Sequence, residues 1–476
     1  MQHGLPGVID AARNYIGIHG FGAFLAHSFR SLRKGNLFTY LKRTWVGVPE
    51  IEQAAWRGDA QADQIELADT AQTEPTADVD AAQPVVHDTV ERMFYARFPN
   101  LSPMRFYPVP KSDRRLNLVT DSISSSSLFG GVGTSLIFGA LLAEKAGAEL
   151  RILTRIEPPE RKNLGFVLEA NGIKIPEKVS FEFFPRERTH PIDIGANDAF
   201  LSTSWWTTES LSDVVPKSSM VYILQEDERM FYAGGDEQLL CWQCLADDEI
   251  MKVVNTRLLF DHLSSQKILA ADAGHVFFEP AFSEAIYSAG EEPRKGGKRK
   301  LVFYARPGHP RNLYYLGLQV IDRAVSSGLI DPDEWEIIFV GTESPEVLLG
   351  GRVVPTVVSG MNWSEYGEFL RGIDLGLSLM ATPHPSYPPL DIAASGGVVV
   401  TNAYGNKTDL SNYSANIIVR PPTIEGLLDG IDAGVKLMRN DSRRLKNYKS
   451  GKLARRWQDT LGKAVDASLQ RVWSGV

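Results

Sequence analysis

Residues 300–341 read KLVFYARPGHPRNLYYLGLQVIDRAVSSGLIDPDEWEIIFVG. The apolar run 300–306 predicts a buried strand. The stretch 312–328 predicts a helix that stops at Gly328, and 335–341 predicts a second strand. Strand, helix and strand in this order make a βαβ unit with parallel strands covered on both faces.

The pattern continues in both directions. Towards the C-terminus, VVPTVV (353–358), LGLSLM (375–380), GVVVTN (397–402) and NIIVRP (416–421) read as further strands, with helices in the gaps. Towards the N-terminus, LNLVTDSI (116–123), ELRILTR (149–155), VSFEFF (179–184), DAFLSTSWW (198–206) and MVYILQ (220–225) form an earlier strand series. RKGGKRK (294–300) separates the two, and Gly296 and Gly297 among basic residues read as an exposed hinge. The fold class is therefore α/β, with two Rossmann-like lobes and a cleft between them. The lobes are expected over 89–293 and 294–440. Residues 1–56 read as a helical extension, residues 57–88 as an acidic flexible linker, and 441–476 as basic C-terminal helices.

Composition narrows the function classes. The chain has 476 residues, 43% hydrophobic and 23% charged, as expected of a multidomain globular enzyme. A net charge of -8 argues against a nucleic-acid partner, which needs a basic surface. Two cysteines exclude a disulfide scaffold and fit a cytoplasmic location. Cys241 and Cys244 lie in LLCWQCL, which reads as a packed core segment rather than a redox pair. No apolar run approaches the roughly 20 residues of a membrane span. The basic N-terminal and C-terminal segments leave peripheral attachment at an inner membrane face as the alternative. Asp78–Asp80 falls in the linker and Asp331–Asp333 before a strand, so no metal and no cofactor are expected.

Ligands of doubly wound sheets bind beyond the carboxyl ends of strands. Three places meet that condition. Arg306 ends a strand and Arg311 follows where the next helix is expected to begin. Two guanidinium forks there suit a diphosphate; the bland reading is a pair of solvated turn arginines. The run LMATPHPSYPPLDIAASGGVVVTN (379–402) leaves a strand, and Pro388–Pro389 suits a first helical turn, which would include Asp391. Backbone N–H groups of Ser386 and Tyr387 are expected to be free for a phosphate or sugar, and His384 just before them is expected near the sugar; the plain readings are a tight connection stiffened by prolines and a loop histidine. The third place is TDSISSSSLFGGVGTSLIFGALLAEKAG (120–147), where Gly130, Gly131 and Gly133 join a strand to a helix. It is neither G-x-G-x-x-G nor a phosphate loop, so a plain turn is as good a reading.

These residues resemble glycosyltransferase family 4, a GT-B family. Arg306 and Arg311 are similar to the Arg and Lys after the first donor-lobe strand there, and His384–Asp391 resembles its Glu-seven-residues-Glu motif. The wording PHPSYPPLDIAASGGVVVTN is particularly similar to WsaF-type rhamnosyltransferases, as are ILQEDERMFYAGG (223–235) and STSWWTT (202–208). The resemblance covers roughly 90–425. It implies a nucleotide-sugar donor, a glycan acceptor and retention. By preference it implies rhamnose from dTDP-rhamnose for a surface glycan. Arg306 and Arg311 would hold the diphosphate with Ser386 and Tyr387. Asp391 would hold the ribose, Gly360 and Met361 would border the base, and the three glycines would face the donor. Gln225, Glu226 and Glu228 stand past a first-lobe strand where an acceptor hydroxyl would be oriented; the plain reading is a solvated acidic turn. The C-terminal helices would cross back to the first lobe. Pro383 replaces the first Glu, which leaves the donor sugar without its usual carboxylate. A non-catalytic nucleotide- or sugar-binding scaffold is the rival reading.

Overall fold

The computed structural model describes residues 88–125, 128–185, 190–289 and 297–473. The helical extension, all of the acidic linker before Asp88, and Arg294 to Gly296 of the hinge lie outside the described residues.

Fifteen strands are described: β1 (Phe106–Pro108), β2 (Arg115–Thr120), β3 (Glu149–Thr154), β4 (Val179–Phe183), β5 (Ile192–Ile194), β6 (Asp198–Ser202), β7 (Met220–Leu224), β8 (Met251–Asn255), β9 (Val276–Phe278), β10 (Arg299–Tyr304), β11 (Trp335–Val340), β12 (Thr356–Val358), β13 (Leu375–Leu377), β14 (Val398–Asn402) and β15 (Ile417–Arg420). The α-helices are α1 (Val90–Arg97), α2 (Gly133–Ala146), α3 (Lys162–Ala170), α4 (Trp205–Ser212), α5 (Asp236–Leu245), α6 (Arg257–Ser265), α7 (Tyr314–Ser326), α8 (Trp363–Arg371), α9 (Tyr387–Ala394), α10 (Ile424–Met438), α11 (Asp441–Ser450) and α12 (Trp457–Trp473).

The first lobe holds a parallel sheet in the order β4-β3-β2-β6-β7-β8-β9, and the second a parallel sheet in the order β12-β11-β10-β13-β14-β15. β1 and β5 pair apart from both. Counted from its own first strand, the second sheet runs 3-2-1-4-5-6. The first sheet runs the same way with one strand added. This is the doubly wound order, in which chain direction along the sheet reverses beside the first strand. The reversals fall between β2 and β6 in the first lobe and between β10 and β13 in the second. The expected GT-B arrangement of two Rossmann-like lobes is therefore what the chain forms.

The expected strands are present within a few residues of their predicted limits. Trp205 and Trp206 are a correction: the strand stops at Ser202, and both tryptophans open α4. A capping box between Ser204 and Thr207 fixes that start. Two strands of the first sheet, β8 and β9, were not anticipated. β8 carries Lys252 as its second residue, fully buried with its ammonium bonded to the Asp247 carbonyl, and β9 has only three residues. The Cys241–Cys244 segment is helical, with both thiols buried in the first-lobe core.

The chain end is tied to the first lobe. Trp457, Leu461, Ala464, Val465 and Trp473 line one face of α12 and join the core beside α2. Each large buried side chain there contributes roughly 1.5–3 kcal/mol. The Trp457 and Trp473 indoles donate to the Asn171 side chain and the Asn197 carbonyl, both at 2.9 Å. Among the described residues no helix is long and apolar enough to cross a membrane.

Candidate functional site

The carboxyl ends of β2, β6, β10 and β11 converge with the β13–α9 loop on one cavity of about 840 Å³ between the lobes. Asp121 and Ser122 follow β2, and Thr203 follows β6. Tyr304 and Arg306 come from β10, Gly341 and Thr342 follow β11, and Met380, His384 and Ser386 lie beyond β13. Both topological reversals thus open on the same space.

Arg306 and Arg311 line this cavity as expected, but their settings differ. Arg306 bonds to the Tyr304 hydroxyl at 3.4 Å and to His309 at 2.6 Å, all within its own lobe. Arg311 reaches across the cleft. It makes a 3.1 Å ion pair with Glu226 and lies over the Phe231 ring, 4.3 Å from its centre. The expected helix start at Arg311 is corrected. Residues 310–312 form a 3-10 turn, Leu313 is left-handed, and α7 begins at Tyr314. The N-terminal partial charge of α7 is therefore displaced from Arg311.

Glu226 is not a solvated acid. Besides Arg311 it accepts hydrogen bonds from the Thr382 hydroxyl and the Asp227 backbone N–H. Burial raises its pKa, while Arg311, Thr382 and Lys407 pull the other way. Lys407 was missed in the sequence. It is fully buried beyond β14, its ammonium donates to the Met380 carbonyl at 3.1 Å, and burial pushes its pKa down to about 8. Only its position past a strand's carboxyl end could have signalled it.

Gln225 and Glu228 line the cavity with Glu226, and each is also held by bonds within the first lobe. The Gln225 amide donates to the Gly131 carbonyl and to Ser135, and its oxygen accepts from Asn255. Glu228 accepts the Trp205 backbone N–H at 2.8 Å and so caps α4. Burial lifts its pKa to about 8.

The β13–α9 loop also departs in detail. The Ser386 backbone N–H is not free: it donates to His384 Nδ1 at 3.0 Å. That bond forces the imidazole proton onto Nε2. His384 is 3% exposed, and its Nε2 has no partner among the described residues. Burial and the nearby Lys407 and Arg311 depress its pKa to about 3. It is a neutral donor with a fixed tautomer on the cavity wall. The Ser386 hydroxyl is likewise buried without a partner among the described residues.

Asp391 lies in the second turn of α9 rather than the first, because the helix begins at Tyr387 ahead of the proline pair. Tyr366 donates to its carboxyl at 3.2 Å, and Tyr287 lies beside it. Burial raises its pKa to about 8, so it carries a proton at neutral pH. The tyrosines were not anticipated, being distant in sequence.

The glycines divide. Gly130 (φ +76°) and Gly131 line the cavity, the first against the Tyr387 ring. Gly133 is corrected: it is buried in α2, where a Cβ would meet the Leu128 carbonyl and the Trp363 ring of the second lobe. Gly360 and Met361, beyond β12, also line the cavity. Tyr387 serves through its hydroxyl, which accepts from Asn255 at 3.0 Å and pairs with Thr134 at 2.6 Å. This contact ties α9 to the first lobe.

The buried acids give a pH signature. Between pH 6.5 and 8 the folded chain holds protons on Asp391 and Glu228 that the unfolded chain has released. Stability therefore falls as pH rises, by up to about 2–3 kcal/mol per unit. His384 acts oppositely, but only below pH 6.5, and Lys407 and Lys252 only above about 8. Urea melts at pH 6.5 and 7.5 are expected to show this loss, with Asp391→Asn removing about half of the slope. An unchanged slope in the variant would count against a protonated Asp391.

Among the described residues no group of three or more His, Cys, Asp or Glu is placed to hold a metal ion. Asp331 and Asp333 pair with Arg352 away from the cavity.

Residues 115–257 match the N-terminal domain of the WsaF family, and residues 299–432 match its C-terminal domain. Over 233 residues the chain is 29% identical to the O-antigen biosynthesis protein RfbC of Myxococcus xanthus. That alignment covers 49% of this chain and 18% of RfbC, so the chain spans under a fifth of that relative's length. Similar solved structures include a glycosyltransferase from Rickettsia africae, at 11% identity and a TM-score of 0.49, covering 76% of this chain and 100% of that one. Anabaena HepE in complex with UDP and glucose gives the same four values.

Proposed function

We propose that this chain, which carries both domains of the WsaF family, is a sugar-nucleotide-dependent glycosyltransferase that acts in the assembly of a cell-surface glycan. The observation that carries this reading is the pair Arg306 and Arg311 at the second lobe's reversal point, facing a first lobe whose own reversal point opens on the same cavity. A donor laid along the second lobe would put its base by Gly360 and Met361 and its ribose by Asp391. Its diphosphate would lie between Arg306, Arg311 and the start of α9.

Transfer forms a bond from an acceptor hydroxyl oxygen to the sugar's anomeric carbon and breaks the bond from that carbon to the phosphate oxygen. Charge builds on the departing diphosphate, and the two guanidiniums stabilise it. His384 adds an uncharged Nε2–H donor in the same wall. In the retaining reading, which rests on the family resemblance, the acceptor proton passes to the departing phosphate oxygen on the same face of the sugar. Rhamnose from dTDP-rhamnose is the preferred donor on the same resemblance. Pro383 in place of a carboxylate leaves fewer polar partners for a hexose hydroxyl, which suits a 6-deoxy sugar.

The test is binding and turnover of dTDP, UDP and GDP sugars, dTDP-rhamnose included, by purified protein. Thermal stabilisation by one nucleoside diphosphate and release of that diphosphate from its sugar are expected. With ligand at 100 times its Kd the stabilisation is about 2.7 kcal/mol. Binding without turnover across donors and acceptors would favour a scaffold, and no binding of any nucleotide would sink the transferase reading.

A further inference from the structure

The cavity is lined by the first lobe as well as by the second. On the first lobe's side its wall changes character. Trp206 and Phe231 face the space with ring centres 6.4 Å apart, and Phe231 is 38% exposed. Trp206 is the second residue of α4 and is fixed at three points. The α4 capping box sets its backbone, Trp205 packs against it edge-on at 6.2 Å, and its indole N–H donates to Asp121 at 2.8 Å. Asp121 follows β2 and Trp206 follows β6, so the pair straddles the first sheet's reversal point, where a doubly wound sheet binds its ligand.

We infer that Trp206 and Phe231 form the platform for the acceptor, a saccharide whose terminal pyranose lays its C–H face on the rings and turns its hydroxyls to Asp121. This rests on the transferase reading. A pyranose has one face of axial C–H groups and a rim of hydroxyls. It therefore fits a wall of aromatic surface edged by a few polar groups. Phe231 also lies directly under the Arg311 guanidinium, so a sugar on this platform abuts the diphosphate clamp. The Asp121 carboxylate selects a neutral sugar over a uronic acid. In the proposed donor path the nucleoside lies by Gly360 and Met361, which follow β12 of the second lobe, whereas the platform belongs to the first lobe.

The experiment uses saturation-transfer NMR on the full chain, saturated with the nucleoside diphosphate it binds. The probes are the methyl glycosides of α-L-rhamnose, α-D-mannose and β-D-galactose, with methyl β-D-glucuronide as the anionic control. At least one neutral glycoside is expected to show transfer, strongest at its axial C–H protons. Trp206→Ala is expected to cut that signal about tenfold, while Trp206→Phe keeps most of it. Nucleotide affinity stays within twofold in both variants, which also reports that they fold; Trp206→Leu serves if Trp206→Ala does not. No transfer from any neutral glycoside, equal transfer in Trp206→Ala, or loss of nucleotide binding in Trp206→Phe would each overturn the platform. Failure of nucleotide binding in the unaltered chain would instead strike the transferase reading itself.

Discussion

Arg311→Ala is expected to lower turnover of the sugar nucleotide by about 10²–10³, the effect of removing one preorganised charge donor from a leaving group. The geometry says why this arginine should matter more than Arg306. Arg306 is held within its own lobe by Tyr304 and His309, whereas Arg311 spans the cleft to Glu226 and Phe231. Glu226 meets Arg311 and Thr382 directly, with Lys407 close by. It therefore sits where a donor phosphate would draw on the same cations. A nucleoside diphosphate must take Arg311 from that carboxylate. Glu226→Gln is accordingly expected to tighten nucleotide binding several-fold while Arg311→Ala weakens it, since an ionised partner roughly doubles a hydrogen bond's strength. Arg311→Lys keeps the charge without the planar fork and should fall between. Steady-state kinetics with calorimetry of nucleotide binding separates these outcomes, and full turnover by Arg311→Ala would remove the arginine from the clamp.

The fold was legible because parallel strands buried on both faces leave continuous apolar runs, as in 300–306 and 397–402. Where the apolar run in the sequence is itself short, that signal fails: Lys252 leaves an apolar run of only Val253 and Val254 beyond it in β8, and β9 is Val276, Phe277 and Phe278 alone. That the second-lobe candidates would meet at one cavity was legible for a related reason, since strand ends and the proline pair can be located along the chain. Partnership between the lobes was not. Glu226 and Arg311 are 85 residues apart, and Asn255 and Tyr387 are 132 apart; no local pattern encodes either contact. Asp391 shows a smaller failure. Prolines 388 and 389 marked the helix start correctly, but Tyr387 opens it, and the acid moves one turn inward. There burial beside tyrosines, rather than the helix dipole, sets its protonation.

Gly341→Ala is expected to destabilise the chain by more than about 4 kcal/mol, the range reserved for substitutions that a packed site cannot absorb. Gly341 follows β11, donates its N–H to the Val358 carbonyl at 3.1 Å, and has φ +152°. A Cβ there would lie 1.8 Å from the Ala305 carbonyl oxygen. That oxygen cannot retreat cheaply, because the Ala305 N–H is held by the Val340 carbonyl at 2.8 Å and Arg306 follows at once. Relief requires the ends of β10 and β11 to part, which displaces Arg306 from the cavity. The variant should therefore lose nucleotide binding together with stability. Gly360→Ala is the matched comparison: it too has a positive φ, +75°, but a Cβ there meets nothing within 4 Å. It should lose only the roughly 1–2 kcal/mol of a left-handed non-glycine residue. Urea denaturation of the two variants, with nucleotide binding at a temperature where both remain folded, separates backbone conformation from close approach. Equal stability losses would mean that the contact with Ala305 is not what requires glycine after β11.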